Sequence, residues 1–245
     1  MPRWLSFVST VLFQETNREL ISDIFGLMNN TQQGADILAT QLGCRVAMPD
    51  FFNGKPWELS KFPPPDRDEF LAWIGKTQWP QVEPVLLKTI GFLREDSAKK
   101  FGMTQSICPP SSLSRLSSRF LIRLLTLLLG LYGFCWGGKM ASKATKYVGA
   151  AAMVHPAFTE VSDADDIVAP LALIDTKDED KDTMDKFIEK VKAKPFGDKV
   201  FRKRFDNTFH GFCAGRANFQ DEENAKLANE VWSLRGIADV GLGLF

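Results

Sequence analysis

A cysteine set among closely spaced glycines is the residue of this chain best suited to covalent chemistry. Cys135 stands in Gly133-Phe134-Cys135-Trp136-Gly137-Gly138, between an apolar run that predicts a strand and the start of a predicted helix. A reactive side chain on a strained strand-to-helix turn needs glycine neighbours, because Cβ atoms there would clash with the backbone. The helix N-terminus would favour a thiolate and an oxyanion. The pattern predicts a nucleophile elbow with cysteine as nucleophile; the alternative is a turn holding an inert buried cysteine.

The histidine partner must come from only two candidates, His155 and His210. In enzymes with a nucleophile elbow, the acid and then the histidine follow the nucleophile along the chain. Only His210 leaves room for an acid, because a predicted strand over residues 168–174 and an acidic loop precede it. We therefore predict His210 as the base and His155 as a structural or site-rim histidine.

The choice of acid is less direct, because Asp175, Asp178, Glu179 and Asp180 crowd one loop. Most of such a cluster is usually a solvated face, and one carboxylate is enough to orient an imidazole. Asp178 lies at the distance past the strand where a turn brings a side chain back toward His210. We predict Asp178 as the acid, with Asp180 as the alternative.

The elements that must hold these residues alternate along the chain. Helices are predicted over about 30–42, from Asp66, and over 80–95, 139–145, 181–192 and 221–234; strands are predicted over 44–48, 148–154, 168–174 and 199–205. Such alternation predicts the α/β class, with a mostly parallel central sheet covered by helices on both faces. The length of 245 residues suits a single domain over residues 1–245.

The composition excludes several other functions. Thirty basic residues balance 30 acidic ones, so nothing points to nucleic acid or an anionic surface. The four cysteines show no Cys-x-x-Cys pair or ligand spacing, so we expect no metal, no cofactor and a reduced, cytoplasmic setting. The leucine-rich stretch over 120–136 is too short in its apolar part to cross a bilayer, and residues 1–13 lack the cleavage site of a signal peptide.

The chain resembles the dienelactone hydrolase family, especially its fungal branch. The likeness rests on four blocks: Ser22-Asp23-Ile24-Phe25-Gly26; residues 33–39 running on to 49–56; residues 133–139; and Lys177-Asp178-Glu179-Asp180 with His210-Gly211-Phe212. It spans roughly residues 21 to 95 and 131 to 235. The resemblance implies an α/β-hydrolase fold and a cysteine-dependent carboxylic-ester hydrolase that opens ester or lactone bonds of small molecules. Matched by position, the implied triad is Cys135, Asp178 and His210.

The triad implies a mechanism. Cys135 and His210 would form a thiolate–imidazolium pair that attacks the ester carbonyl. The backbone N–H of Trp136, with one N–H near Ile24 or Phe25, would stabilise the oxyanion. A thioester acyl-enzyme would form and be hydrolysed. A thiolate is also a good leaving group, so cysteine suits activated esters better than amides.

Substrate-binding residues also follow from the resemblance. Asp23 fills an acidic position beside the nucleophile where many members have glutamate, and Phe25 follows it in the same block. Arg216 resembles an arginine that members place near the site for a substrate carboxylate; the alternative is a surface arginine. Trp136 and Phe212 are candidates to line the pocket, with plain packing as the alternative.

Two segments, residues 1–20 and 103–125, do not resemble the family. Members carry opening strands in the first and pass almost directly to the elbow strand in the second. We interpret both segments as gene-model errors, with a lineage-specific loop as the alternative for residues 103–125. The missing opening strands motivate a second functional hypothesis: an inactive or incompletely folded hydrolase-fold protein that serves at most as a small-molecule binding module.

Overall fold

Seven strands form one sheet in the computed structural model, which describes residues 5–8, 17–100 and 129–233. The strands are β1 (Leu5–Val8), β2 (Asn17–Ile21), β3 (Arg45–Pro49), β4 (Leu129–Phe134), β5 (Ala150–Val154), β6 (Leu171–Thr176) and β7 (Phe201–Phe205). Their spatial order is β1-β3-β2-β4-β5-β6-β7. Strands β2 to β7 are parallel, and β1 pairs antiparallel with β3 at the edge. The predicted α/β class with a mostly parallel sheet is confirmed.

Helices cover both faces of the sheet. They are α1 (Asn29–Leu42), α2 (Arg67–Ile74), α3 (Trp79–Lys100), α4 (Trp136–Ala144), α5 (Lys181–Lys192) and α6 (Glu222–Ser233). Side chains of α3, α4 and α5 share one apolar core, and those of α1 and α6 share the core on the opposite face. Strand β4 serves both, because Leu131 faces the first core and Phe134 the second.

The register of the parallel strands brings their carboxyl ends to one edge, where the reactive residues lie. Ile21 of β2 pairs with Gly133 of β4, and Phe134 pairs with Val154 of β5. Val154 in turn pairs with Ile174 of β6. Ligands bind outside the carboxyl ends of strands in open α/β sheets, so this edge is where a site is expected.

The segment predicted to lack opening strands contains two of them, which corrects that prediction. Strand β2 lies between β3 and β4 in the middle of the sheet and leads directly into residues 22–26. Arg18 and Glu19 of this strand are both buried. Two adjacent charged residues are not typical of a strand, so the sequence does not predict one here. Residues 103–125 lie outside the described part of the chain, so their interpretation as a gene-model error stays a prediction.

The leucine-rich stretch over 120–136 contributes β4 from Leu129 onward, and its earlier residues lie outside the described ones. Among the described residues, no helix is long and apolar enough to cross a membrane.

Candidate active site

Cys135 occupies a strained turn between β4 and α4. Its backbone angles are φ 56° and ψ −120°, a region that costs a non-glycine residue roughly 1–3 kcal/mol. The surrounding backbone holds it there: the Cys135 N–H donates to the Val154 carbonyl at 3.0 Å, and the Cys135 carbonyl accepts from Gly138 and Ala157 at 2.9 Å each. The turn therefore fixes the sulfur-bearing residue through main-chain contacts alone.

The flanking glycines are required by close approach, as the sequence predicts. A Cβ at Gly133 would lie 2.1 Å from the Gly137 carbonyl oxygen. A Cβ at Gly137 would lie 2.5 Å from the carbonyl oxygen of Ile21, which belongs to the neighbouring strand β2. The elbow thus packs backbone against backbone on two sides.

His210 lies between the nucleophile and a carboxylate. Its Nδ1 is 2.6 Å from Oε1 of Glu179, and its side chain is hydrogen-bonded to that of Cys135. Since Glu179 occupies Nδ1, Nε2 is the ring nitrogen left for the sulfur. Burial lowers the pKa of His210, but the charges and hydrogen bonds of Cys135 and Glu179 outweigh burial and raise it to about 10. The arrangement favours the imidazolium form of His210.

The carboxylate against the imidazole belongs to Glu179, which corrects the assignment of Asp178. Asp178 instead accepts the backbone N–H of His210 at 2.9 Å through Oδ2. Strand β6 runs through Thr176, past the predicted end at residue 174, so the turn presents a residue one position later than expected. The second oxygen of Glu179 accepts the Thr176 N–H, and the side chain is buried.

The other carboxylates of the acidic loop have structural partners. Asp180, the alternative acid, caps α5 by accepting the Thr183 N–H at 2.8 Å. Asp175 lies inside β6 rather than in the loop, fully buried and paired with Arg202 and Arg204 of β7. Among the described residues, the hydrogen bonds of these two carboxylates go to other partners than His210.

Two backbone N–H groups remain as candidate oxyanion donors. Trp136 is the first residue of α4, where an N–H has no acceptor within the helix. The Phe25 N–H already donates to Oδ1 of Asp23 at 3.0 Å, which leaves that of Ile24 in the turn after β2. Both Ile24 and Cys135 line the same cavity.

The cavity above Cys135 has a volume of about 210 Å³ and an aromatic wall. The wall is made by Phe25, Phe62, Phe70 and Phe158, and Phe158 is half exposed at 49%. Phe25 meets Phe62 edge to face, with ring centres 5.6 Å apart. The predicted position of Phe25 in the binding site agrees with this lining.

Arg216 brings a positive charge to the same cavity. Its Nη1 donates to the His210 carbonyl at 2.5 Å, and its guanidinium lies 4.9 Å from the Phe62 ring and 5.0 Å from the Phe209 ring. Arg216 therefore forms part of the cavity wall, unlike the alternative of a plain surface arginine.

Two aromatic residues predicted to line the pocket are packing residues instead. Phe212 is fully buried against Phe205 in the core on the opposite face, because the chain turns at Gly211 (φ 91°) and directs it inward. The Trp136 indole is also buried, tilted against the Phe52 ring with centres 5.0 Å apart, and donates to the Thr77 carbonyl at 3.2 Å. Only the backbone N–H of Trp136 is available to the site.

Asp23 lines the cavity, but its carboxylate is engaged by the protein. Oδ1 accepts the Phe25 N–H, and Oδ2 accepts the Gly215 N–H at 2.7 Å. Burial raises the pKa of Asp23 to about 6, against the lowering effects of these two hydrogen bonds and of His210 and Arg216. Each carboxylate oxygen can still accept a second hydrogen bond, so substrate binding by Asp23 stays a prediction.

His155 lies behind His210, out of the cavity. Its ring is fully buried, 4.9 Å from the His210 ring, and neither nitrogen has a hydrogen-bond partner among the described residues. Burial, together with the charge of His210, holds the pKa of His155 well below its usual value. A buried, neutral ring agrees with the predicted structural position.

No group of three possible metal ligands occurs within residues 5–8, 17–100 and 129–233. Cys44, Cys135 and Cys213 are free, and a reduced, cytoplasmic setting stays a prediction.

Comparison with known proteins shows what the chain is similar to. A model of the dienelactone hydrolase family matches residues 125–235. An uncharacterized AIM2 family protein of Schizosaccharomyces pombe is 29% identical over 219 residues, which cover 85% of this chain and 75% of the relative.

Solved structures share the fold at low sequence identity. A candidate dienelactone hydrolase from Klebsiella pneumoniae matches with a TM-score of 0.58 and 16% identity, over 91% of this chain and 86% of that one. A dienelactone hydrolase-like promiscuous phosphotriesterase from metagenomic libraries matches with a TM-score of 0.56 and 14% identity, over 92% and 86%. The family likeness and the fold together support a hydrolase. The resemblance seen in the sequence is thus confirmed as a likeness: residues 125–235 match the dienelactone hydrolase family model, and the chain has the α/β-hydrolase fold.

Proposed function

We propose that the protein is a cysteine-dependent hydrolase of ester or lactone bonds in small molecules, with Cys135, His210 and Glu179 as its catalytic triad. The observation that carries the proposal is the position of His210, hydrogen-bonded to Cys135 on one side and 2.6 Å from Glu179 on the other. A nucleophile, a base and an orienting carboxylate in this order form a working unit for acyl transfer.

The first half of the reaction acylates the cysteine. His210 holds the proton of Cys135, and the thiolate attacks the carbonyl carbon of the ester. The N–H groups of Trp136 and Ile24 donate to the oxyanion of the tetrahedral intermediate. The intermediate collapses to a thioester, and the leaving alcohol or enol takes the proton from His210.

The second half regenerates the thiol. His210 accepts a proton from water, and the resulting hydroxide attacks the thioester carbonyl. Collapse releases the carboxylic acid and returns the sulfur to its pair with the imidazolium. Glu179 keeps Nδ1 protonated throughout, so that Nε2 exchanges the proton in both halves.

The nucleophile and the cavity narrow the substrate class. The tetrahedral intermediate expels either the thiolate or the leaving group of the substrate. An alkoxide or enolate can leave in competition with the thiolate, whereas an amine leaves far less readily, which favours esters over amides. A volume of about 210 Å³ is below the range of roughly 300–1,000 Å³ typical of sites for drug-sized ligands. Phenyl rings and Arg216 line this space, so we expect a small ester with a flat apolar part and a negative charge.

The rival hypothesis of binding without catalysis loses its motivation. It depends on missing opening strands, whereas β2 lies in the centre of the sheet and supports the turn that carries Ile24.

The test is hydrolysis of p-nitrophenyl acetate with detection of the acyl-enzyme by intact mass. We expect the wild type to turn over and to carry an acyl group, and Cys135→Ala to lose both, with activity reduced by about 10⁴-fold or more. Cys44→Ala is the control, because Cys44 is also buried but lies in the core on the opposite face. Turnover that survives in Cys135→Ala, or a folded wild type that is neither active nor acylated, would contradict the proposal.

A further inference from the structure

A buried carboxylate joins the two loops that must cooperate in the proposed reaction. Asp23 is 1% exposed and lies in the turn after β2, one residue before the Ile24 N–H. Gly215 lies 192 positions along the chain, in the loop that carries His210. The hydrogen bond from the Gly215 N–H to Oδ2 of Asp23 crosses between them at 2.7 Å.

The contact is tight on both sides. Oδ1 of Asp23 accepts the Phe25 N–H at 3.0 Å, which bends the turn around the carboxylate. A Cβ at Gly215 would lie 2.8 Å from Oδ2 of Asp23 and 2.8 Å from the Phe25 ring. The histidine loop can therefore approach the turn this closely only with glycine at position 215.

We propose that Asp23 is a positioning residue, whose two side-chain oxygens lock the turn bearing the Ile24 oxyanion donor to the loop bearing His210. This inference rests on the hydrolase proposed above. The hydrogen bonds of Asp23 go to the backbone N–H groups of Phe25 and Gly215, so it acts by fixing the distance between Ile24 and His210. Both accepted N–H groups need an oxygen lone pair, and a carboxylate offers one to each without a competing proton.

The ionised form is kept at the expense of stability, which argues for a functional reason. Burial raises the pKa of Asp23 to about 6 despite two hydrogen bonds and the nearby charges of His210 and Arg216. Asp23 in turn contributes to raising the pKa of the buried Cys213 thiol. A group with a raised carboxyl pKa stabilises the fold at low pH, and this stabilisation is lost as pH rises through about 6.

Because the carboxyl pKa is higher in the buried, locked state than in water, a proton gained below that pH favours the locked state over an opened one. The turn and the histidine loop should therefore exchange amide hydrogens no faster at pH 5 than at pH 7.5. A carboxylate that only stabilises the fold would instead have a lowered pKa, and its neutralisation would lower the stability.

The experiment compares the wild type with Asp23→Asn and with Asp50→Asn. Asp50 also accepts two backbone N–H groups, from Phe52 at 3.0 Å and Gly54 at 2.6 Å, but within one local turn. It therefore controls for the loss of paired backbone acceptors without a bridge between loops. Hydrogen exchange is followed over residues 22–26 and 209–217, alongside thermal unfolding and p-nitrophenyl acetate hydrolysis.

For Asp23→Asn we expect faster exchange in both segments and a fall in kcat of about 10- to 100-fold. We expect a Tm at pH 8 no lower than that of the wild type, with the difference shrinking as pH falls to 5. Asp50→Asn should change neither exchange segment nor kcat. Unchanged kcat and exchange in Asp23→Asn, or a lowered Tm with full kcat per folded molecule, would overturn the lock.

If the Asp23→Asn variant does not fold, a second measurement uses the wild type alone. Exchange corrected for its intrinsic pH dependence should slow in both segments together between pH 7.5 and 5, because protonation favours the locked state, and a change in one segment alone or in neither would overturn the proposal. If the proposed hydrolase function is wrong, Cys135 will not be acylated. The exchange measurement still tests separately whether Asp23 holds the two loops together.

Discussion

The elbow around Cys135 and the loop around His210 position their reactive side chains by different means. The elbow relies on main-chain contacts, with carbonyls packed where Cβ atoms of Gly133 and Gly137 would stand. The histidine loop relies on side chains: Glu179 holds the imidazole, and Asp178 holds the backbone N–H of the same residue.

This difference predicts which perturbations each region tolerates. The elbow has no room for added atoms, because its backbone is closely packed. Apart from the Cys135 thiol, the elbow carries no ionisable group. The histidine loop is fixed by carboxylates and by Arg216, so its geometry depends on their charge. One region should fail by steric clash, the other by charge substitution and pH.

The largest effect is expected from Gly133→Ala. Its Cβ would lie 2.1 Å from a backbone oxygen that cannot move without displacing α4, so we expect a loss of about 3 kcal/mol or more in the free energy of unfolding, together with loss of activity. The measurement is urea denaturation. The matched control is Gly91→Ala in α3, where a Cβ meets nothing within 4 Å. Removal of a helical glycine should leave stability unchanged or raise it by about 0.5–1 kcal/mol. Equal stability of the two variants would contradict the steric account of the elbow.

The next effect separates the two acidic neighbours of His210. Glu179→Gln keeps the shape but can present an N–H to Nδ1, which favours the wrong tautomer, so we expect kcat to fall by roughly 10³- to 10⁴-fold. Asp178→Asn affects only a backbone contact, and we expect a reduction of about tenfold or less. Steady-state kinetics with p-nitrophenyl acetate measures both. A larger loss in Asp178→Asn than in Glu179→Gln would return the triad role to Asp178.

The same two regions explain what could be predicted from the sequence. The elbow is a local motif, in which residue types within six positions determine the backbone path, so the cysteine, its glycines and the following helix were all predictable. The acid depends on where β6 ends. Two further residues of strand, Asp175 and Thr176, shift the turn and exchange Asp178 for Glu179. The end of a strand is set by its neighbours, here Arg204 and Phe205 of β7, which are far along the chain.

Tertiary context also concealed β2. Its sequence Asn17-Arg18-Glu19-Leu20-Ile21 lacks the apolar run typical of a central strand. Gly130 of the neighbouring strand makes room for Arg18, since a Cβ there would lie 2.6 Å from the Arg18 side chain. The space for Arg18 can be predicted only if it is known which strand pairs with β2. The packing role of Phe212 depends likewise on the turn at Gly211, which the sequence motif does not specify.

The charge dependence of the histidine loop predicts a fall in stability at alkaline pH. The pKa of His210 is raised to about 10, so its contribution is fully present below about pH 6.5, the ordinary histidine pKa, and is lost as pH rises through 10. We expect the Tm of the wild type to fall by roughly 5–10 °C between pH 7.5 and 10. The smaller fall expected in Cys135→Ala, which lacks the sulfur that raises this pKa, isolates His210 from the titration of lysines and tyrosines. Identical curves for the two proteins would contradict the ion pair.

The smallest effect concerns the charge that the cavity offers to a substrate. Arg216 supports the His210 carbonyl and also lines the cavity, so its replacement should slow every substrate somewhat, and a single rate cannot separate the two roles. The ratio of kcat/KM for a phenyl ester bearing a carboxylate to that for its neutral analogue cancels the effect on His210. In Arg216→Gln we expect this ratio to fall about tenfold, the size of one charge-assisted contact. Lys226→Gln removes the same charge from the exposed face of α6 and should leave the ratio unchanged. A constant ratio in Arg216→Gln would restrict this arginine to holding the histidine loop, and the cavity would then select its ester by the phenyl wall alone.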